Sequence, residues 1–185
     1  PAARAVLTLT CDPFDLVANT TNVLCAPSSV CTTTSVTFKE DVDIPSGGCA
    51  FDLGGRSLSI QQTMQTTGSG FIVVVNAGNI TITGTGRLKA RGDFMPATPP
   101  GFIVGGGRVS LTSAGTITLL DGAQIDVSGE AAGIISLIAG GMNGAGVGGD
   151  LQTGAALQGT SISSFTDAGE RFADGGTLNV TASTG

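Results

Sequence analysis

Residues 70–93, GFIVVVNAGNITITGTGRLKARGD, and residues 107–130, GRVSLTSAGTITLLDGAQIDVSGE, overlay without a gap. Gly70 meets Gly107, Ala77-Gly78 meets Ala114-Gly115, Ile80-Thr81 meets Ile117-Thr118, and Gly92 meets Gly129. A repeat of this length cannot bury its own apolar face, so copies must stack on one another. Within each copy the apolar residues alternate. Ile80 and Ile82 are separated by Thr81, Leu88 and Ala90 by Lys89, and Ile117 and Leu119 by Thr118. Val109 with Leu111, and Ile125 with Val127, repeat the pattern. Period two over short runs predicts strands with one buried face. Gly, Asn and Asp between the runs predict turns. Each copy therefore predicts three short strands and three corners, and stacking predicts a solenoid.

The pattern continues beyond the two best copies. GIISLIA (133–139) matches the first strand of a coil, AALQGT (155–160) the third, and GTLNVTASTG (176–185) the first strand again. The Gly-rich stretch 140–154 is expected to replace the middle strand of that coil. Upstream, residues 41–61 predict an earlier coil with Ile44, Phe51, Leu53, Leu58 and Ile60 inward. Longer segments at 94–106 and 161–175 fall between a third strand and the next first strand, so both should leave from the same corner. No stretch predicts a helix. The chain divides into residues 1–40, an N-terminal arm and Cys-rich cap, and residues 41–185, a β-solenoid body ending in an incomplete coil. The expected class is all-β, a parallel β-helix of about four to five coils.

Cys11, Cys25, Cys31 and Cys49 all lie in the first part of the chain, and there is no His. An even, clustered count without close CxxC pairs predicts two disulfides stapling the cap rather than a metal site. Disulfides imply an oxidising compartment, so the expected location is extracellular or cell-surface. The opening Pro1-Ala2-Ala3 suits a mature secreted chain. A net charge of −6 and the lack of a basic patch argue against nucleic acid. No apolar run reaches the length of about 18 residues that a membrane span needs.

The stretch GGRVSLTSAGTITLLDGAQIDVSG (106–129) resembles the coils of secreted bacterial right-handed parallel β-helix proteins, including filamentous haemagglutinin-like adhesins. The resemblance covers roughly residues 41–184. It implies a right-handed β-helix, secretion, a rod-like body, and a role in adhesion or surface structure.

Polysaccharide-cleaving β-helix enzymes need clustered carboxylates and a basic partner. Here Asp41, Asp43, Asp52, Asp93, Asp121, Asp126, Glu130, Asp150, Asp167, Glu170 and Asp174 fall mostly at turns, and aromatic residues that could stack sugars are scarce. No catalytic, cofactor or metal residues are expected. Lys89 and Asp126 occupy equivalent positions on adjacent coils and predict a solvated cross-strand charge pair. Arg91-Gly92-Asp93, the sequons at Asn19, Asn79 and Asn179, and the calcium-repeat echo GVGGDL (146–151) read as chance in a Gly- and Thr-rich chain.

Leu7 and Leu9 alternate with Thr8 and Thr10, next to Val6, in an arm that the repeat does not absorb. Leu178 and Val180 alternate in the final, incomplete coil. Together they are the expected subunit interface of an extracellular filament, a homopolymer in which one subunit's N-terminal segment completes the open end of the next. The alternatives are a surface adhesin binding a cell-surface glycan or protein through corner loops, and a carbohydrate-active enzyme.

Overall fold

The computed structural model describes residues 6–8, 16–17, 30–31, 34–66, 68, 70–92, 106–129, 133–140, 151–153, 156–158 and 177–182. All regular structure among them is strand. The chain enters through β1 (Val6–Thr8), β2 (Leu16–Val17) and β3 (Val30–Cys31). It then makes successive three-strand rounds. They are β4 (Ser35–Phe38), β5 (Asp41–Asp43) and β6 (Gly48–Asp52), then β7 (Ser57–Ile60), β8 (Thr63–Thr66) and β9 (Phe71–Ala77). The next are β10 (Ile80–Ile82), β11 (Arg87–Ala90) and β12 (Arg108–Ser113), then β13 (Ile117–Leu119), β14 (Gln124–Asp126) and β15 (Ile134–Ala139). The last holds β16 (Leu151–Thr153), β17 (Ala156–Gln158) and β18 (Thr177–Ala182).

Every third strand pairs, giving three six-stranded sheets. Sheet A runs β1-β5-β8-β11-β14-β17, sheet B runs β2-β6-β9-β12-β15-β18, and sheet C runs β3-β4-β7-β10-β13-β16. All pairs are parallel except β3 with β4. The chain visits C, then A, then B in each round, an arrangement consistent with a β-solenoid. Parallel sheets are normally covered on both faces. Winding the chain into a coil gives each sheet one dry face and one wet face, which explains why these parallel strands alternate.

The inward residues form columns. In sheet A, Val42, Met64, Leu88 and Ile125 lie in register, and all are buried. Sheet B stacks Cys49, Ile72, Val109 and Ile135 beside Phe51, Val74, Leu111 and Leu137. Sheet C stacks Val36, Leu58, Ile80 and Ile117 beside Phe38, Ile60, Ile82 and Leu119. Each fully buried aliphatic side chain contributes about 1.5–3 kcal/mol. The expected inward set of Ile44, Phe51, Leu53, Leu58 and Ile60 is buried throughout.

The ungapped overlay of the two copies is the observed register, with Ile80 beside Ile117 and Leu88 beside Ile125. The exception is a shift where Leu111 pairs with Val74 but Ser113 pairs with Ala77. Asn76, at φ 52°, supplies the extra residue in β9 as a bulge. Asn tolerates this left-handed conformation better than most residues.

Two expectations are corrected. Residues 140–154 do not replace the middle strand of their sequence repeat, the strand equivalent to β10 and β13. Leu151–Thr153 forms β16 and pairs with β13 in sheet C. A three-residue strand next to glycines is too short to show a period. The N-terminal arm is not left over either. Val6, Leu7 and Thr8 pair in register with Asp41, Val42 and Asp43. The stack thus extends on the N-terminal side of residue 41, through β4 and β1.

Candidate functional site

The three corners of each round are built differently. The corner from sheet C to sheet A is a tight turn with backbone stacked on backbone. Thr83 and Leu120 donate their N–H to the carbonyls of Ile60 and Ile82 one round below. Gly86 N–H closes on Thr83 O, and Ala123 N–H on Leu120 O, both within the turn. Gly122 is at φ +86°, and a Cβ built on it would lie 2.9 Å from Gly84 O. The Arg87 guanidinium donates to the carbonyls of Gly84, Gly86 and Gly122 at 3.1, 2.9 and 2.7 Å, bridging two rounds.

The corner from sheet B to sheet C uses side chains as rungs. Asn79 N–H donates to Ser57 Oγ at 3.2 Å, and Asn79 Oδ1 accepts from Thr116 N–H at 2.9 Å. The side-chain oxygen of the Asn79 sequon is thus engaged by the next round, while its backbone N–H meets the round before. Ser113 Oγ donates to Gly78 O at 2.6 Å and accepts from Gly115 N–H at 3.1 Å.

The corner from sheet A to sheet B carries both long interruptions. β11 ends at Ala90 and β12 starts at Arg108, while β17 ends at Gln158 and β18 starts at Thr177. This places 94–106 and 161–175 at one corner, as the sequence predicts. Between β5 and β6 and between β8 and β9 the same corner spans four residues, and between β14 and β15 it spans residues 127–133. There Gly133 N–H closes on Val127 O within the corner, and Gly92 N–H, from the preceding round, donates to Ser128 O.

This corner holds a strongly organised ionic cluster. Asp126 stands beside Lys89 in register, as expected, yet it is not solvated. It is 0% exposed, and its partner is Arg91. Arg91 Nε donates to Asp126 Oδ2 at 2.7 Å, and Arg91 Nη2 donates to the same oxygen. Ser128 donates to Oδ1 from its hydroxyl at 2.6 Å and from its N–H at 3.1 Å. Burial opposes ionisation of Asp126, but the Ser128 and Arg91 hydrogen bonds and the Arg91 charge outweigh it, so its pKa lies below the usual carboxylate value. A fully satisfied carboxylate of this kind fixes geometry; it has no free lone pair to offer a metal or a proton to shuttle. The expected solvated Lys89–Asp126 pair is thus corrected. Register identifies strand neighbours, but Arg91, just past the strand, reaches Asp126 across the corner. Arg91 of the Arg-Gly-Asp tripeptide is committed to this contact, and Asp93 lies outside the described residues.

The remaining carboxylates disperse. Asp41 and Asp43 are on the outer face of sheet A, accepting from Thr63 N–H at 3.0 Å and Gln65 Nε2 at 2.8 Å. Asp52, at the end of β6, accepts from Gly54 N–H and Asn76 Nδ2, each at 3.0 Å. Glu40, which the pattern of turns does not single out, is buried and partnered at the corner between β4 and β5. Asp93, Glu130, Asp150, Asp167, Glu170 and Asp174 lie outside the described residues. Among the described residues no three metal-binding side chains converge, and no helix is long and apolar enough to cross a membrane.

Cys49 is buried in the sheet B column and is disulfide-bonded. Cys31 lies in β3, and Cys11 and Cys25 lie outside the described residues. Val6 and Leu7 are in β1, at the positions beside Asp41 and Val42. Leu178 and Val180 are in β18, beside Ile135 and Leu137. Leu9 lies outside the described residues. Compared with known proteins, the chain matches no family model, no curated protein and no solved structure.

Proposed function

We propose that this chain is a secreted, right-handed β-solenoid that acts as a structural subunit of an extracellular filament, extended by end-to-end stacking of coils. One observation carries the reading. In sheets A and B the outermost described strands at both ends continue the parallel pairing of the interior. β17 and β18 lie parallel and in register on β14 and β15, and β1 and β2 lie parallel on β5 and β6. A second copy meeting β17 and β18 with its β1 and β2 would add rungs of the same direction in two sheets. Unpaired parallel edges recruit further strands unless blocked. A contact between unlike ends does not close on itself and gives a filament. In this joint Leu7, Leu178 and Val180 hold the register positions of Val42, Ile135 and Leu137, and Val6 that of Asp41. No free arm has to be donated, because β1 is already the first rung of sheet A.

The cap belongs to the same reading. Any intrachain partner of Cys49 is Cys11, Cys25 or Cys31, so its bond ties the N-terminal segment to the first full round. Closing a loop of that size stabilises by roughly 3–4 kcal/mol. A disulfide in this place supports folding in an oxidising compartment. A second reading, an adhesin module, is favoured by the two interruptions that leave from one corner, since loops on one side of a solenoid commonly bind partners.

Electron microscopy of the 1–185 chain, beside a variant lacking residues 1–10, tests the proposal. Filaments with an axial repeat of about 4.8 Å, lost or severely shortened in the variant, are expected. Single subunits for both proteins at micromolar concentration would overturn it. So would filaments of equal length from both, since the N-terminal rung would then not be the joint.

A further inference from the structure

The outer faces of the three sheets differ in kind. Sheet C shows hydroxyls, with Thr37, Ser59, Thr81 and Thr118 in register. Sheet A shows Asp41, Gln65, Arg87 and Lys89. Sheet B does not follow the apolar-in, polar-out rule. β9 reads FIVVV, so Phe71, Val73 and Val75 face outward while Ile72 and Val74 are buried inward. β15 repeats the departure with Ile138 and with Ile134, which is 41% exposed. Continuous apolar runs are the mark of parallel strands covered on both faces.

These residues form two ridges. β9 and β15 flank β12, about 10 Å apart from each other. Between them β12 presents Ser110 and Thr112, with Ser110 only 7% exposed although it faces outward. On the far side of β9, β6 presents Gly48 and Ala50. Ridges therefore alternate with rungs of small residues at the spacing of the rungs.

We infer that the outer face of sheet B is a lateral interface with a second copy of this chain, related by a two-fold axis parallel to the strands between β9 and β12. That operation lays the β9 ridge of each copy over β12 of the other, and the β15 ridge over the small residues of β6. A two-fold interface must be self-complementary in this way. Strand starts meet strand starts, so the exposed Arg108 guanidinium comes over the Phe71 ring of the second copy, a cation–π arrangement. Four to six rungs of this width bury on the order of 1,000 Å² over the two copies, the lower end of what a specific interface requires. The contact is lateral, so it is independent of end-to-end assembly and would double the width of single subunits and filaments alike.

Particle width in electron micrographs of the full chain reads the interface directly, whatever the particle length. The wild type is expected to be two solenoids wide, Val73→Lys and Ile138→Lys one solenoid wide, and Thr81→Lys on the sheet C face unchanged from wild type. Mixing Val73→Lys with Ser110→Asp chains places opposite charges across the axis and is expected to restore the double width. Circular dichroism confirms that each variant folds. Single-width wild type would overturn the inference. A Val73→Lys variant that fails to fold while the wild type is single-width would do so as well, because the face would then be covered by the chain itself. Loss of double width in Thr81→Lys but not in Val73→Lys would place the contact on another face.

Discussion

The corner from sheet C to sheet A and the corner from sheet A to sheet B solve the same problem by different means. In the first, residues 83–86 lie directly on residues 120–123, carbonyl to amide, with glycines where a Cβ has no room. In the second, the chain departs after Arg91 and Ser128 and returns through Gly107 and Gly133, and what holds the departure point is the Asp126 cluster. The first corner stays short in every round, at two or four residues. The second ranges from four residues between β5 and β6 and between β8 and β9, through seven between β14 and β15, to the long interruptions at 94–106 and 161–175. Backbone-on-backbone stacking fixes the path of every residue in a turn. A side-chain clamp fixes only the point where the chain leaves, so whatever follows can vary. This is how one corner of a repetitive stack comes to carry its two longest interruptions.

The return point should be the most sensitive. A Cβ on Gly107 would collide with the Gly70 carbonyl oxygen and crowd Ala90 Cβ at 2.9 Å. Gly107→Val is expected to cost about 3 kcal/mol or more, measured by urea unfolding. A loss under about 1 kcal/mol would mean the glycine stack is looser than described. Leu111→Ala, in the sheet B column, should cost about 2–5 kcal/mol by opening a cavity between rounds.

The clamp should matter less, and in a pH-dependent way. Asp126→Ala strands the Ser128 and Arg91 donors, though Arg91 is half exposed and can turn to water, so a loss of about 1–3 kcal/mol is expected. The folded pKa of Asp126 is lowered, so the unfolded chain binds the proton first as pH falls. The stabilisation is complete above the unfolded value of about 3.9 and is lost as pH drops through the lower folded value. Unfolding curves of wild type and Asp126→Asn should accordingly converge toward the acid end of this range. Parallel curves throughout would show that the charge is not what stabilises the corner. Smallest of all should be Lys89→Ala, within about 0.5 kcal/mol, because Lys89 is only the strand neighbour of Asp126. Arg91→Ala should exceed it, and the reverse order would restore the cross-strand pair that the register alone suggests.

Much of this was legible in the residues themselves. The alternation of Ile80 with Ile82 and of Ile117 with Leu119, in two copies of equal length, determines strand type, register and the inward face together. The corner of the interruptions follows from the same overlay. What escaped was local or short. β16 is three residues beside glycines, the Asn76 bulge adds one residue inside an apolar run, and Asp126 takes its partner from beyond its own strand. β1 also resisted, because pairing between Leu7 and Val42 bridges a long separation with no repeat to announce it. For Glu40, no neighbouring pattern distinguishes a buried carboxylate from an ordinary turn residue.

The contrast between the corners is tested most directly by inserting the same Gly-Ser pair at two places, after Gly84 and after Gly92, and comparing free energies of unfolding. The account predicts that insertion after Gly84 breaks the stacked turn and destabilises by several kcal/mol, about the whole stability of a small domain. Insertion after Gly92 should change it by less than about 0.6 kcal/mol, the cost of doubling a loop. Equal losses at the two sites would contradict it, because the second corner would then be held as rigidly as the first.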